Sequence, residues 1–337
     1  MAGPLGKLAF TLPFGDARTS VELAKRAEQD WGYEAIWMAE TAGPDSFTLA
    51  GAILQATRTL TLGTAIVPVY NRTPAVLAMS AGTLGQLAPG RFRLGLGSSS
   101  HAIIGDWNGV PFEVPFEAPL STVRDSVAII RQALAGEKTS YDGKRLRSKG
   151  LRLGCVPPEP VPIYLAGLRE KMLNLAGEIG EGLIINFQPV EAMAQILSAY
   201  QAGAAAAGRD ATGDEVVSRF QFAVTDDVPA ARNIVRAGFG GYLAQPVYNK
   251  FIAWCGFEEE ARAIREGFAR RDRQAVGEAI HDELIDRIVI LGNEDVCREK
   301  LAGFVAAGVT TPVLAPLAAR KEDAVRMLEA FAPARSG

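Results

Sequence analysis

Residues that bind metals or form disulfides are scarce in this chain, which has two histidines and three cysteines among 337 residues. Cys155, Cys255 and Cys297 are odd in number and far apart, so they predict free thiols rather than a disulfide framework. His101 and His281 lack the close spacing to other ligands that a zinc site needs, so no metal site is predicted. Reduced thiols are typical of a cytoplasmic protein.

Strong net charge and long apolar runs are also absent. The formal net charge is -3 and the pI is about 5.7, and without a basic patch nucleic acid is not an expected partner. No apolar run is long enough to cross a bilayer, and the first apolar stretch is too short for a signal peptide. The sequence therefore predicts a globular cytoplasmic protein that does not partner a membrane.

Short aliphatic or β-branched runs alternate with longer segments of helical apolar spacing, the pattern of parallel strands joined by crossover helices. Thr73 followed by Pro74 predicts a capped helix start, and Thr19 with Glu22 predicts a capping box. Eight cycles in one chain favour an α/β fold of the closed (β/α)8 TIM barrel type. The eight predicted strands span residues 7–12, 35–38, 60–67, 91–97, 162–166, 182–187, 219–224 and 311–315.

No linker or change of composition divides the chain, so residues 1–337 are predicted to form a single barrel domain. Two stretches, at about 100–120 and 228–284, break the strand and helix rhythm. In a barrel such stretches are insertions at the rim, where substrate specificity commonly resides.

The segment GRFRLGLGSSSH, residues 90–101, contains Gly95 and Gly97 but lacks the third glycine and the immediate helix of a dinucleotide-binding fingerprint. We therefore reject a Rossmann fold. Two interpretations stay open: the glycines give a flat or phosphorylated ligand close access to the backbone, with Ser98 to Ser100 as donors, or they relieve crowding at a barrel strand end.

Four segments together resemble the bacterial luciferase-like superfamily. They are residues 63–100, WNGVPF at 107–112, AGLREKMLNLAGEIGEGLIIN at 166–186 and residues 291–314. The resemblance is closer to the branch of deazaflavin (F420)-dependent oxidoreductases that includes methylene-tetrahydromethanopterin reductase. It implies a flavin or F420 in the barrel mouth and a non-prolyl cis peptide, here Ala65-Ile66, that presses against the ring.

The resemblance also implies the cofactor-binding residues. Phosphate recognition falls on the ends of the fourth and fifth strands, and the start of the helix after the fifth strand favours an anion on physical grounds too. Arg169 in that turn either binds the phosphate or is a charge exposed to solvent. Lys171 and Lys250 are candidates for binding a glutamylated cofactor tail. The implied cofactor-binding set is Ala65, Ile66, Gly97, Ser98, Ser99, Gly167, Leu168, Arg169 and Asn186.

The luciferase branch has a catalytic histidine where this chain has Thr41, and an arginine where it has Ser98. Both differences favour F420 over FMN and hydride transfer over oxygen chemistry. Glu40, in a setting expected to be apolar, is either a proton donor or a structural carboxylate. Tyr70 and Asn71 are candidates for hydrogen bonds to ring or substrate, so the catalytic candidates are Glu40, Thr41, Tyr70 and Asn71.

Aromatic residues cluster in the second insertion, where Tyr248, Phe251 and Trp254 share helical spacing. Such a face is core, a subunit contact or a substrate lid. Trp107 either walls the pocket or packs its loop onto the barrel, and Trp107, Tyr248 and Phe251 form the predicted substrate pocket.

The predicted function is that of an F420-dependent oxidoreductase that transfers hydride to or from a small organic substrate. The resemblance also suggests a homo-oligomer, most simply a dimer. Two alternatives stay open: an FMN-dependent monooxygenase supplied by a partner reductase, and a cofactor-free barrel with a binding role.

Overall fold

A computed structural model describes residues 5–110 and 118–335. Residues 111–117, which belong to the predicted insertion at 100–120 and carry part of the WNGVPF segment, lie outside the described residues. The strands of the described part are β1 (Ala9–Phe10), β2 (Ala35–Met38), β3 (Thr61–Thr64), β4 (Val67–Pro68), β5 (Phe92–Gly97), β6 (Ser140–Asp142), β7 (Arg147–Lys149), β8 (Ile163–Ala166), β9 (Gly182–Asn186), β10 (Glu215–Val224), β11 (Ile290–Gly292) and β12 (Thr311–Pro316).

Helices follow most of these strands. The α-helices of the described part are α1 (Ala17–Arg26), α2 (Ser46–Ala56), α3 (Pro74–Leu87), α4 (Pro119–Leu134), α5 (Glu170–Ile179), α6 (Met193–Ala206), α7 (Val228–Leu243), α8 (Pro246–Trp254), α9 (Glu258–Ala269), α10 (Arg273–Ala279), α11 (Asp282–Ile288), α12 (Glu294–Ala306) and α13 (Lys321–Ala330). Shorter π or 3-10 helical segments are Ala27–Trp31, Ala102–Trp107, Val190–Ala192 and Pro333–Arg335.

Eight parallel strands close a barrel in the order β1, β2, β3, β5, β8, β9, β10, β12, after which β12 pairs with β1 again. This confirms the predicted (β/α)8 architecture. Two short strands extend it at one end, where β4 pairs with β5 and β11 pairs with the last residues of β10. A hairpin of β6 and β7, which the sequence analysis missed, stands apart from the barrel.

The barrel interior is filled below the carboxyl ends of the strands. Trp37 and Tyr164 meet there with ring centroids 5.2 Å apart, and Ile184 and Val217 belong to the same buried cluster. A Cβ on Gly63 would overlap the Trp37 ring, so glycine at that position makes room for the tryptophan. These side chains form a floor, and a ligand entering the barrel mouth would rest above it.

The helix starts show one confirmed prediction and one wrong one. Helix α3 begins at Pro74, and the Thr73 side chain accepts a hydrogen bond from the Val76 amide at 3.4 Å. Helix α1, by contrast, begins two residues before the predicted cap. The Asp16 carboxylate caps it and accepts from the Thr19 amide at 2.7 Å, because an aspartate upstream is as strong a cap as threonine.

The second insertion leaves the barrel after β10 and consists of helices α7 to α11, which return the chain through β11 and α12 to β12. Because β10 and β12 are neighbours in the barrel, this whole excursion is the connection between two adjacent strands. Helix α8 of the insertion contributes Tyr248, Lys250 and Trp254 to the cavity described next.

Candidate functional site

A cavity of about 660 Å³ lies at the carboxyl ends of the barrel strands. Its volume is in the range of sites for small organic ligands and cofactors. The predicted residues that line it are Glu40, Thr41, Ala65, Ile66, Ser98, Ser99, Leu168, Arg169, Asn186 and Tyr248. Six predicted residues are outside the lining set: Tyr70, Asn71, Gly97, Trp107, Gly167 and Phe251.

One wall of the cavity is the link between β3 and β4, where the Ala65-Ile66 peptide bond is cis. The Ala65 amide donates to the Met38 carbonyl at 2.6 Å, and the Ile66 carbonyl accepts from the Glu40 amide at 3.3 Å. These backbone hydrogen bonds attach the link to the end of β2. The wall therefore presents the apolar side chains of Ala65 and Ile66 at a fixed position.

Both glycines of the GRFRLGLGSSSH segment serve packing. A Cβ on Gly95 would overlap the Thr64 carbonyl oxygen, and a Cβ on Gly97 would lie 3.1 Å from Ile66 Cγ1 and 3.2 Å from Ala166 Cβ. The Gly95 amide also donates to Thr64 Oγ1 at 2.8 Å. Crowding at the strand end, one of the two open interpretations, is present at both glycines, and the role of Gly97 in binding a ligand stays a prediction.

The serines that follow β5 line the cavity. Ser99 has a φ of 60°, an uncommon left-handed conformation for a residue other than glycine. Ser100 instead serves the next segment: its hydroxyl accepts from the Ile103 amide at 3.4 Å and its carbonyl accepts from the Ile104 amide at 3.0 Å. Ser98 and Ser99 are thus the serines available to a ligand.

A second donor group lies at the start of α5. The Met172 and Leu173 amides donate to the Arg169 carbonyl at 2.9 and 3.0 Å, so the amides of Glu170 and Lys171 belong to the unsatisfied first turn. A Cβ on Gly167 would lie 3.0 to 3.2 Å from Leu173 atoms, which explains why glycine precedes this turn. Arg169 is exposed and lines the cavity together with Lys171 and Lys250.

The environment of Glu40 differs from the expected apolar setting. Arg72 Nη1 and Nη2 donate to Glu40 Oε1 and Oε2 at 2.5 and 3.1 Å, and the Ser46 amide donates to Oε2 at 3.3 Å. Arg72 also forms an ion pair with Asp45, the cap of α2, and lies over the Phe47 ring at 5.1 Å. The apolar expectation was wrong, because a guanidinium 32 residues away in sequence folds back over the end of β2.

Asn71 contacts the neighbouring loop, and Tyr70 packs against the hydrophobic core. Asn71 Oδ1 accepts from Asn108 Nδ2 at 3.1 Å, and the Asn71 amide donates to the Pro68 carbonyl at 3.3 Å. Burial raises the pKa of Tyr70, which is half-buried against the hydrophobic core. Neither residue is among those that line the cavity, and their contact with a substrate stays a prediction.

Trp107 and Phe251 were predicted for the substrate pocket but do not line the cavity, because one is exposed and the other is buried. Trp107 is 63% exposed at the end of its π-helical segment. Phe251 is fully buried and stacks on Trp254 with centroids 6.2 Å apart. On α8, Tyr248 and Trp254 line the cavity together with Pro246, Val247 and Lys250, whereas Phe251 is buried in the core.

Arg219 is the main lining residue that the sequence analysis missed. It is paired in register with Asn186 across β9 and β10. Arg219 Nε and Asn186 Oδ1 are both buried with no hydrogen-bond partner among the described residues. A signal was present in the sequence: on β10, Arg219 has the same parity as the inward-facing Val217, so an arginine at that position has to point into the barrel.

Within residues 5–110 and 118–335, no group of three or more histidine, cysteine or acidic side chains is arranged to hold a metal ion. Over the same residues, none of the helices combines the length and apolarity that a membrane span requires.

Comparison with known proteins gives consistent matches over most of the chain. Residues 7–311 match the luciferase-like monooxygenase family. The chain is 29% identical to 5,10-methylenetetrahydromethanopterin reductase of Methanolobus tindarius, over 90% of this chain and 92% of that protein. It is 33% identical to F420-dependent glucose-6-phosphate dehydrogenase of Mycolicibacterium smegmatis, over 54% of each chain.

Among solved structures, the coenzyme F420-dependent tetrahydromethanopterin reductase of Methanopyrus kandleri superposes with a TM-score of 0.81. The sequence identity is 23%, and the superposition covers 96% of this chain and 97% of the other. At this identity the superposition shows a shared fold, and it agrees with the barrel closure described above.

Proposed function

The chain belongs to the luciferase-like monooxygenase family, and from that premise we infer that it is an F420-dependent oxidoreductase that transfers hydride between the deazaflavin and a small organic substrate. The F420-dependent relatives support this inference. The observation that carries it in this chain is one cavity with an apolar wall at Ala65 and Ile66, hydroxyl donors at Ser98 and Ser99, and free helix amides after Arg169.

The donor set fits such a cofactor in kind. A tricyclic ring needs an apolar surface, which Ile66 offers on the cavity wall and Ile184 on the floor. A phosphodiester needs amides and hydroxyls, which the start of α5 and Ser98 offer. An acidic tail needs cations at the rim, where Lys171 and Lys250 are exposed.

When bound, the deazaflavin supplies or accepts the hydride as a two-electron carrier. The protein has to orient the reactants and exclude water. Ile66, Leu168 and Trp254 line the cavity with apolar surface and so lower its water content. We assign Glu40 a positioning role, since both its oxygens are held by Arg72, and Thr41 beside it offers a hydroxyl at the mouth.

Titration of the purified protein with F420 and with FMN tests the assignment, with quenching of cofactor fluorescence as the measurement. We expect saturable quenching with F420 and none with FMN at equal concentration. Ser98→Leu should weaken F420 binding, because a branched side chain would enter the cavity, whereas Ser140→Leu on the exposed hairpin should leave binding unchanged. Preference for FMN would assign the flavin alternative, and no binding of either would assign the cofactor-free one.

We further propose a single-domain chain that acts as a cytoplasmic homo-oligomer. One hydrophobic core contains residues from Leu5 to Ala332, which supports a single domain. The three free cysteines suit a reducing compartment. Helix α3 exposes Val76, Met79 and Leu87, which gives apolar surface for a subunit contact, and light scattering during gel filtration would measure the oligomeric state.

A further inference from the structure

Arg219 points into the cavity from a strand opposite the Ile66 wall. In the barrel order, β10 is four strands from β3 in a ring of eight, so the two strands face each other across the mouth. A planar ring held against Ile66 would have one face on that wall. Its other face would look toward Arg219, across the space where a substrate has to approach.

No carboxylate in the described part of the chain contributes to the electrostatics of the Arg219 guanidinium. Its terminal nitrogens contact the neutral amide of Gln221, whose oxygen accepts from Nη2 at 3.2 Å in its satisfied orientation. Its Nε is buried without an acceptor. A charge withdrawn from water without a counter-ion is costly, and burial lowers the pKa of Arg219, opposed by Tyr242 and Tyr248.

The side chains placed beside Arg219 are those of Tyr242 and Tyr248 and the neutral amides of Asn186 and Gln221. The hydroxyls of Tyr242 and Tyr248 are 2.8 Å apart, so one donates to the other and a single hydroxyl hydrogen is left for a ligand. Burial raises the pKa of Tyr248 well above its usual value, which keeps that hydroxyl protonated. Both tyrosines and Asn186 line the same cavity as Arg219.

A corner with one fixed positive charge, a free N–H and a free O–H fits a single negative charge on two oxygens. We propose that Arg219, with the hydroxyl hydrogen left on the Tyr242 and Tyr248 pair, binds a carboxylate of the substrate, so that the enzyme acts on small organic acids. The proposal rests on the proposed function, because it assigns this corner to the substrate and the Ile66 wall to the cofactor.

The experiment measures small-molecule binding to the F420-loaded protein by change in deazaflavin fluorescence and by thermal shift. Benzoate and acetate are the carboxylate probes, benzamide and acetamide are their neutral counterparts, and inorganic phosphate is the third anion. We expect the carboxylates to bind about tenfold or more tightly than the amides. Arg219→Met should abolish that preference, and Arg219→Lys should retain part of it.

Arg93→Met is the matched control. Arg93 also lines the barrel interior, but in a separate cavity at the opposite end with Trp37 and Glu215, so its loss should leave the carboxylate preference intact. Tyr248→Phe keeps the charge of Arg219 and removes one hydroxyl. Tyr248→Phe should weaken carboxylate binding several-fold. If Arg219→Met does not fold, Tyr248→Phe and Arg219→Lys are the variants that test the proposal.

The failures of the two proposals are distinguishable. If wild-type protein does not bind F420, the proposed function fails, and benzoate titration of the unloaded protein still reports on the anion corner. If F420 binds but benzoate and benzamide bind equally, the carboxylate assignment is overturned. It is also overturned if phosphate binds more tightly than either carboxylate, or if Arg219→Met weakens F420 binding as much as benzoate binding, because the arginine would then serve the cofactor.

Discussion

The ion pair between Arg72 and Glu40 gives the sharpest test of the site geometry. The two side chains retain 20% and 12% of their exposure, which lies between a surface pair worth about 0–1 kcal/mol and a fully buried pair whose disruption costs about 3–5 kcal/mol. Arg72→Met would remove the charge while preserving much of the stem packing over Phe47. We expect it to lower the free energy of unfolding by about 2 kcal/mol.

A double-mutant cycle separates the pair from its surroundings. Glu40→Gln, Arg72→Met and the double variant would be unfolded in urea, followed by circular dichroism and tryptophan fluorescence. Because each single variant leaves a partly buried charge without its partner, the double variant should be more stable than the sum of the single losses by about 1–2 kcal/mol. Additivity within about 0.5 kcal/mol would refute the interpretation that Arg72 holds Glu40 in place.

Three further predictions concern packing, pH and cofactor binding. Gly95→Ala should destabilise the fold by about 3 kcal/mol or more, measured as a fall in melting temperature, because its Cβ would overlap the Thr64 carbonyl; an unchanged temperature would contradict this. Partial burial raises the pKa of Glu28, but hydrogen bonds from Thr59 and Leu60 outweigh it and lower that pKa below 4.5. The stability that ionised Glu28 contributes should therefore be complete above its pKa in the unfolded chain and lost as pH falls through its pKa in the folded protein. Glu28→Gln should lower the free energy of unfolding by about 2 kcal/mol at neutral pH, and by progressively less in urea titrations at acid pH. Arg169→Leu should weaken F420 binding about tenfold by fluorescence titration, with exposed Arg18→Leu as the control; equal affinity would leave Arg169 as a solvated charge.

The barrel could be predicted from the sequence because each of its signals is local. A buried parallel strand is a short continuous apolar run, and the helix start at Thr73 and Pro74 is a property of adjacent residues. The error at α1 came from the same source, since Asp16 and Thr19 are both good caps and periodicity does not choose between them. The hairpin of β6 and β7 was missed because it pairs only three residues on each strand, which are exposed or half-buried and give no apolar run.

The site was only partly predictable because its decisive contacts join distant segments. Glu40 was found as a strand-end carboxylate, but its partner Arg72 depends on how the loop after β4 folds over β2. Phe251 and Trp254 are three residues apart, so helical periodicity puts them on one face of α8 and does not tell which of them reaches the cavity. That depends on how α8 packs against the barrel. Arg219, in contrast, was within reach, because alternation along β10 fixes its direction.

The connection from β10 to β12 has a consequence for how such enzymes diversify. Helices α7 to α11 belong to the connection between the neighbouring strands β10 and β12, and α8 forms one side of the cavity. A different sequence inserted between β10 and β12 would change the residues that line this side of the cavity, and it would leave the strand register and the Ile66 wall unchanged. Chimaeras exchanged between these two strands should therefore alter which molecules are accepted while the barrel beneath remains the same.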